Sequence, residues 1–275
     1  MTELLRATGL RFGYRGRPLA RPVAFALRAG EVLVVLGPNG SGKSTLFRTL
    51  AGAIPPIEGE VRWSGRPLGS LSPRELAGEL TWVPQQPATA FDLDVFHYVM
   101  LGRLGRLPLG SAPGAADRQA VEQALARLGL GRFRDRPLSR MSGGERQLAA
   151  IARALAQQAR TLILDEPAAS LDFGNQGRVL DTLSALADEG LGIVYSTHDP
   201  NHALRCGSQT LLYLPEGELR AGSIVELVRP EVLTRAYGVP IEAARTADGR
   251  PVLALRPTAN RRSANRPSDF RATSA

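Results

Sequence analysis

The sequence predicts an α/β fold with a mainly parallel sheet in its core, an antiparallel β subdomain at its N-terminal end and an inserted helical subdomain. Three observations support this prediction. Short apolar runs alternate with segments of helical periodicity, which is typical of a mainly parallel sheet. Strand-like runs interrupted by glycine and proline open the chain. Helical segments joined by Gly/Pro-rich turns separate two of the core strands.

The N-terminal strand-like runs occupy residues 4–7, 23–27 and 58–63. Gly13 and Pro18 interrupt the chain between the first two runs, as expected for turns. We therefore expect these runs to form a small antiparallel sheet beside the core.

Core strands are predicted at residues 31–36, 80–83, 161–165, 192–196 and 210–214. Helical segments at 96–104 and 116–128 lie between the second and third of these strands, so a helical subdomain is predicted at about residues 86–145. One domain then spans residues 1–240, and a short C-terminal extension follows at 241–255. Residues 256–275 are rich in Arg, Pro, Ser and Asn with Asp269 as their only acid, which predicts a disordered basic tail.

The composition limits the classes of protein to consider. Hydrophobic residues make up 43% of the 275 residues, as in globular proteins. No apolar run approaches the ~18 residues of a membrane-spanning helix, and the first residues lack the apolar core of a signal peptide, so any association with a membrane is expected to be peripheral. Cys206 is the only cysteine, which excludes an intrachain disulfide and predicts a buried, inert thiol.

The segment after the first core strand fits the phosphate-binding pattern G-x-x-x-x-G-K-[ST]. It consists of Gly37, Pro38, Asn39, Gly40, Ser41, Gly42, Lys43 and Ser44, followed by Thr45. Its glycines allow backbone N–H groups, together with the positive end of the next helix, to approach an anion closely. Lys43 is expected to reach the β- and γ-phosphates, and the Ser44 hydroxyl to bind Mg²⁺. The sequence therefore predicts a phosphate-loop NTPase core.

The charge distribution agrees with such a site. The formal net charge is +8, yet Lys43 is the only lysine, and arginine supplies the other positive charges. Lys43 places a compact ammonium, and not a larger guanidinium, at the position where a point charge must fit among phosphates. Because no basic patch with interleaved aromatic residues is present, we predict no nucleic-acid partner.

Several residues outside the loop are candidates for the same site. Asp165 ends a core strand and could hold Mg²⁺, while Glu166 could orient or deprotonate an attacking water. His198 also ends a strand, where its imidazole could donate to a γ-phosphate oxygen. Tyr14, upstream of the loop, could stack on adenine. The alternatives are that the acids only cap a turn, that His198 is structural and that Tyr14 is an ordinary strand-end residue.

Residues 142–148 contain a helix start with an unusual pair of glycines. Ser142 and Glu145 fit the S-x-x-E capping box. Gly143 and Gly144 weaken the first turn of a helix, which suggests that its bare N–H groups face a large anion. Since the phosphate loop already binds one set of phosphates, this second anion site is expected to serve another nucleotide, such as that of a partner subunit.

With these motifs in this order, residues 1–240 resemble the ATP-binding cassette (ABC) ATPases. The segment from Met141 to Glu145 is similar to the signature motif of that family, with Glu145 in place of the more usual Gln. The other matches are Tyr14 (adenine stacking), Gln85 (metal contact), Asp165 (metal ligand), Glu166 (catalytic base), Asp172 (loop at the partner's site) and His198 (switch histidine). Gln86 is an alternative to Gln85.

The resemblance implies an ATPase that uses ATP and Mg²⁺. Its catalytic residues would be Lys43, Glu166 and His198, and its metal ligands Ser44, Gln85 and Asp165. Two copies would face each other head to tail, so that Ser142, Gly143, Gly144 and Glu145 of one copy complete the ATP site of the other. The resemblance also implies membrane permease subunits, an extracytoplasmic binding protein as an indirect partner, and a cytoplasmic location, peripheral on the inner face of the plasma membrane.

Residues 94–103, 171–176 and 233–240 resemble importers of metal chelates, such as ferric siderophores, haem and cobalamin, and of related oxyanions such as molybdate. Asp94 and His97 depart from the Thr and the acid that are usual in that class. An ABC exporter subunit and a stand-alone, non-transport ABC ATPase are the alternatives. Exporter subunits often carry a fused membrane domain, and the stand-alone ATPases usually carry a second cassette or a long coiled-coil insertion. The sequence contains none of these features, so we favour the importer. The resemblance implies that the cargo does not touch this subunit, so several cargoes stay open.

Overall fold

The computed structural model describes residues 2–14, 17–85, 92–108 and 110–257. The strands are β1 Glu3–Arg11, β2 Gly13–Tyr14, β3 Arg17–Pro18, β4 Val23–Arg28, β5 Val32–Leu36, β6 Glu58–Trp63, β7 Arg66–Pro67, β8 Leu80–Val83, β9 Thr161–Leu164, β10 Gly192–Thr197, β11 Gln209–Tyr213, β12 Leu219–Ser223, β13 Ile241–Arg245 and β14 Pro251–Leu255. The α-helices are α1 Lys43–Leu50, α2 Pro73–Glu79, α3 Val95–Met100, α4 Ala115–Arg127, α5 Gly143–Ala156, α6 Phe173–Asp188, α7 Pro200–Cys206, α8 Ile224–Leu227 and α9 Pro230–Tyr237.

A six-stranded sheet with the order β12-β11-β5-β10-β9-β8 lies at the centre of the fold. The β11–β12 pair is antiparallel, and every other neighbouring pair in this sheet is parallel. Both faces are covered: Val34 of β5 belongs to the hydrophobic cluster on the helical side, and Val35 to the cluster on the side of the N-terminal sheet. Burial on both faces explains why these strands are continuous apolar runs in the sequence.

The N-terminal subdomain is a four-stranded antiparallel sheet with the order β4-β1-β6-β7. Helix α1 packs between the two sheets, and Phe47 and Leu50 on it are fully buried beside Trp63 of β6. The Trp63 indole N–H donates to Leu50 O over 3.0 Å, which ties β6 to the end of α1. The predicted fold class is therefore confirmed.

The helical insertion lies between β8 and β9, as predicted, but one of its helices differs from the prediction. Instead of a single helix over 96–104, α3 ends at Met100 and a 3₁₀ segment, Leu101–Arg106, follows. Tertiary packing explains the change. A Cβ atom on Gly102 would lie 2.0 Å from Arg153 O of α5, and the buried Arg103 side chain donates to Ala156 O and pairs with Asp117.

The C-terminal part contains elements that the sequence did not reveal: the antiparallel edge strand β12 and the hairpin of β13 and β14. The domain boundaries at 86, 145, 240 and 255 remain predictions. Gln86 and most of the predicted basic tail, residues 258–275, lie outside the described residues. Among the helices of the described ranges, none is long and apolar enough to span a bilayer.

The partly buried thiol of Cys206 on α7 gives a test of this packing. Its Sγ atom lies 3.4 Å from the Tyr195 hydroxyl, and burial raises the pKa of Cys206 to about 11. Since the thiolate is the nucleophile, we expect iodoacetamide at pH 7.5 to alkylate the native protein about 100-fold more slowly than a free thiol of pKa ~8.5, with the rate rising up to about pH 11. Intact-mass spectrometry gives the rate, and the chain in guanidinium is the control. A native rate within tenfold of the unfolded rate would contradict this packing.

Candidate active site

The phosphate-loop segment connects the end of β5 to the start of α1. Gly40 and Gly42 have φ values of 77° and 105°, in the region that side chains rarely adopt. Gly37 is required for a different reason, because a Cβ atom there would lie 2.8 Å from the Cβ of Tyr213. Backbone conformation at Gly40 and Gly42, and close packing at Gly37, therefore account for the three glycines of the loop.

Two features of the loop fit a bound phosphate. Helix α1 has Gly42 as its N-cap and no side-chain cap, whereas Ser or Asp side chains cap α2, α3, α5, α6 and α7. The first N–H groups of α1 therefore have no intrahelical or capping acceptor. Beside them, the Ser41 hydroxyl is buried and has no hydrogen-bond partner among the described residues. A helix N-terminus with free N–H groups and an unpaired hydroxyl is suited to bind an anion.

The Lys43 side chain is almost completely buried and turns back into the loop. Its ammonium donates to Gly37 O and Pro38 O, both over 3.0 Å, and lies 3.1 Å from Glu166 Oε1. The only lysine of the chain thus joins the phosphate loop to the acidic segment that follows β9.

Glu166 is the point where the candidate residues converge. Its backbone adopts φ 46°, which is strained for a residue other than glycine and turns the chain sharply after β9. One carboxylate oxygen, Oε1, faces Lys43; the other, Oε2, accepts from Gln85 Nε2 over 3.5 Å and lies 3.4 Å from His198 Nδ1. The side chain is 10% exposed. A carboxylate in this position can accept a proton and is held among donors that orient it.

Ser196 on β10 supports both acidic residues, a role that was not predicted from the sequence. Its hydroxyl donates to Asp165 Oδ1 over 2.6 Å and accepts from Glu166 N over 2.9 Å. Asp165 and Ser196 are both buried, so this bridge fixes the Asp165 carboxylate and the turn at Glu166 together.

The predicted metal ligands offer oxygen atoms only. The described residues contain no group of three or more His, Cys, Asp or Glu that could hold a metal by themselves. The Ser44 hydroxyl at the exposed tip of α1, the Gln85 amide oxygen and the fixed Asp165 carboxylate are the ligand types that Mg²⁺ prefers when phosphate oxygens complete its coordination. Their chemistry fits Mg²⁺.

Tyr14 and His198 lie at the two sides of this site. Tyr14 is 45% exposed, and its hydroxyl accepts from Arg48 of α1 over 2.7 Å; hydrogen bonding to Thr45 and to Arg48 lowers its pKa. His198 follows β10, and half of its side chain is exposed. Its backbone O accepts from the Tyr237 hydroxyl of α9 over 2.9 Å, a contact that sequence reasoning missed.

The signature segment forms the predicted capping box at the start of α5. Glu145 N donates to Ser142 Oγ, and Ser142 N donates to the Glu145 carboxylate, which lowers the pKa of Glu145. Gly143 is exposed, and a Cβ atom there would make only an ordinary contact. Gly144 is different: a Cβ atom would lie 2.4 Å from Cγ of Asn175 on α6. Close packing inside the chain therefore requires Gly144, a reason that we did not anticipate from the sequence.

Asp172 lies beside the signature segment. Its carboxylate caps α6 by accepting from Asn175 N and Asn175 Nδ2, over 2.9 and 2.6 Å, and these bonds lower the pKa of Asp172. The next residue, Phe173, is 92% exposed. In the described part of the chain, no hydrogen bond joins Ser142, Glu145 or Asp172 to the phosphate loop. The candidate residues thus form two groups, one around Glu166 and one at the tips of α5 and α6.

Comparisons with known proteins identify the family of the chain. The family model described as ABC transporter matches residues 20–169. An uncharacterised ABC transporter ATP-binding protein of Haemophilus influenzae is 38% identical over 85% of this chain and 89% of its own length. The hemin import ATP-binding protein HmuV of Streptomyces coelicolor is 40% identical over 87% of this chain and 85% of its own length.

Among solved structures, a chain of a metal-chelate type ABC transporter in an inward-facing conformation superposes with a TM-score of 0.81 at 30% identity. That alignment covers 93% of this chain and 98% of the other. The matched family region includes the phosphate loop, the signature segment and the acidic residues after β9. The chain therefore belongs to the ABC transporter family, and it is an ATP-binding subunit with ATPase activity.

Proposed function

We propose that this chain powers an importer of a metal chelate, such as haem, a ferric siderophore or cobalamin, through a separate membrane permease. Two relatives support the direction and class of transport, because one is named for hemin import and the other is a metal-chelate type transporter. The observation that carries the catalytic part is the convergence of Lys43, Gln85 and His198 on the Glu166 carboxylate.

In the proposed reaction, ATP phosphates replace Glu166 as the acceptor for Lys43. This releases the Glu166 carboxylate from the ammonium, while the backbone of Glu166 keeps it turned into the site. The carboxylate then accepts the proton of the attacking water. His198 donates to a γ-phosphate oxygen, and Tyr14 stacks on adenine. Mg²⁺ held by Ser44, Gln85 and Asp165 would neutralise charge on the phosphates.

The second group of residues serves the other copy in a head-to-tail dimer. The Glu145 N–H is used by the capping box, but the N–H groups of Gly143 and Gly144, in the first turn of α5, have no intrahelical acceptor. These groups would bind the γ-phosphate of the partner's ATP, with Asp172 beside them. Permease contact would hold the dimer at the inner face of the membrane, and the extracytoplasmic binding protein would act only through the permease.

Replacing Glu166 with Gln tests the role of the base. The amide keeps the size of the side chain but cannot accept the proton, so we expect ATP hydrolysis to fall by about 10²–10⁴-fold while ATP binding is retained. Steady-state phosphate release and nucleotide titration measure the two effects. Light scattering with ATP and Mg²⁺ should then show a dimer of the variant.

Glu60, whose side chain is half-exposed and pairs with Arg62, provides the matched control, because Glu60→Gln removes the same charge away from the site. This control should hydrolyse ATP at the rate of the unaltered chain. Full ATPase activity of Glu166→Gln would show that Glu166 is not the catalytic base. If the ATP-loaded variant stayed strictly monomeric, both alone and with its permease, this would contradict an ATP site shared between two copies.

Replacing Ser196 with Ala tests the support of Asp165. The change leaves the part-buried Glu166 N–H without an acceptor, so we expect the free energy of unfolding to fall by about 1–3 kcal/mol. It also frees the Asp165 carboxylate, which should raise the Mg²⁺ concentration that gives half-maximal ATPase activity. Thr210→Val is the control, since it removes a buried hydroxyl that bonds Val34 O on the same sheet. An equal change in Mg²⁺ requirement for both variants would mean that Ser196 acts through stability alone.

Deletion of the gene in its native host tests the cargo. With hemin as the only iron source, we expect growth of the deletion strain to stop, and the unaltered gene, but not its Glu166→Gln variant, to restore it. Growth on inorganic iron is the control for general fitness. Unimpaired growth of the deletion strain on hemin would exclude haem, and ferric siderophores and cobalamin would then be tested in the same way.

A further inference from the structure

Helix α9 reaches back to the switch histidine of the proposed active site. The hydroxyl of Tyr237, the last residue of α9, donates to the backbone O of His198 over 2.9 Å. We propose that Tyr237 is a positioning residue for ATP hydrolysis, which holds the His198 backbone so that its imidazole faces Glu166. This inference rests on the proposed role of His198, and it adds a residue from outside the matched family region, which ends at residue 169.

The position of His198 depends on its backbone. Its side chain is 51% exposed, and its only polar side-chain contact in the described ranges is the 3.4 Å approach of Nδ1 to Glu166 Oε2. A half-exposed imidazole with one long contact is not held by packing. A hydrogen bond to its own carbonyl restricts the peptide that carries it, and thereby the direction of the side chain.

Tyr237 is itself held firmly. Helix α9 is anchored by Leu233, which is fully buried, and by Ala236 in the main hydrophobic core. The turn after α9 is closed by Ile241 N, which donates to Thr234 Oγ1 over 3.0 Å. Burial, together with the nearby Asp199 and Glu166 carboxylates, raises the pKa of Tyr237, so its hydroxyl keeps its proton and stays a donor at physiological pH.

A second contact holds the same segment from the hairpin of β13 and β14. The Asn201 amide donates to Leu253 O over 3.1 Å, and its oxygen accepts from Leu253 N over 2.8 Å. Between this pair and the Tyr237 contact lies a cleft of about 270 Å³ that is lined by both segments. The chain from His198 to Asn201 is thus attached at two points, to α9 through Tyr237 and to the hairpin through Leu253.

The test is Tyr237→Phe in the full chain, which removes the donor and keeps the ring. We expect kcat for ATP to fall about five- to tenfold, the range that one hydrogen bond accounts for, with KM for ATP within about twofold. Tyr195→Phe is the matched control, because the Tyr195 hydroxyl also donates to a backbone carbonyl over 2.9 Å, that of His202 on α7. It should leave kcat unchanged.

Nuclear magnetic resonance of the histidine rings gives a readout that general destabilisation would not move. The chain has three histidines, His97, His198 and His202, so each ring signal can be assigned with one substitution. Tyr237→Phe should shift or broaden the His198 signal and leave that of His97 in place. Tyr195→Phe should instead affect His202.

A double-mutant cycle separates this inference from the proposed function. If Tyr237 acts through His198, Tyr237→Phe should lower kcat no further in a His198→Ala background. Three outcomes would overturn the positioning role alone. They are additive losses of kcat in the double variant, an unshifted His198 signal in Tyr237→Phe, and an unchanged kcat of Tyr237→Phe when His198→Ala is impaired. Full activity of His198→Ala would overturn the proposed role of His198 and the inference with it.

Discussion

The parallel alignment of β5, β9 and β10 is the constraint on which the active site depends. In this register Ser196 of β10 pairs with Val35 of β5, and Tyr195 pairs with Leu164 of β9, so all three strands end at the same edge of the sheet. The loops that leave this edge carry the ammonium, the carboxylates and the imidazole of the site. Hydrophobic burial on both faces of the sheet holds the register, because a shifted strand would expose apolar residues or leave backbone groups unpaired. The chemistry at the edge is therefore positioned by packing in the core, which contributes no residue to the reaction.

Much of this arrangement could be predicted from local sequence. The phosphate-loop pattern, the capping box at Ser142 and the acid pair after a strand are short-range features, each determined by the conformation of a few neighbouring residues. Parallel strands bring their ends together, so the proximity of Lys43, Glu166 and His198 follows once the strands are identified. The fold class was predictable for the same reason, since the alternation of apolar runs and helical segments is visible along the chain.

The remaining features depend on contacts between residues that are distant in the sequence. The bridge through Ser196, the close approach of Asn175 to Gly144 and the bond from Tyr237 to His198 O each join separate elements. A serine at a strand end or a tyrosine at a helix end has many ordinary explanations, and no local pattern distinguishes these two. The end of α3 at Met100 also depends on a distant contact. The close approach of Gly102 to Arg153 O of α5 ends the helix, although the helical periodicity continues in the sequence.

The contact between Gly144 and Asn175 also has a consequence for how the chain can change during evolution. Asn175 fills the space that a side chain at position 144 would occupy, and its amide also bonds the Asp172 carboxylate. A side chain at 144 would therefore have to displace Asn175, and the loss of its amide contact would loosen the cap of α6. The two positions therefore constrain each other, so that a substitution at one is limited by the residue at the other.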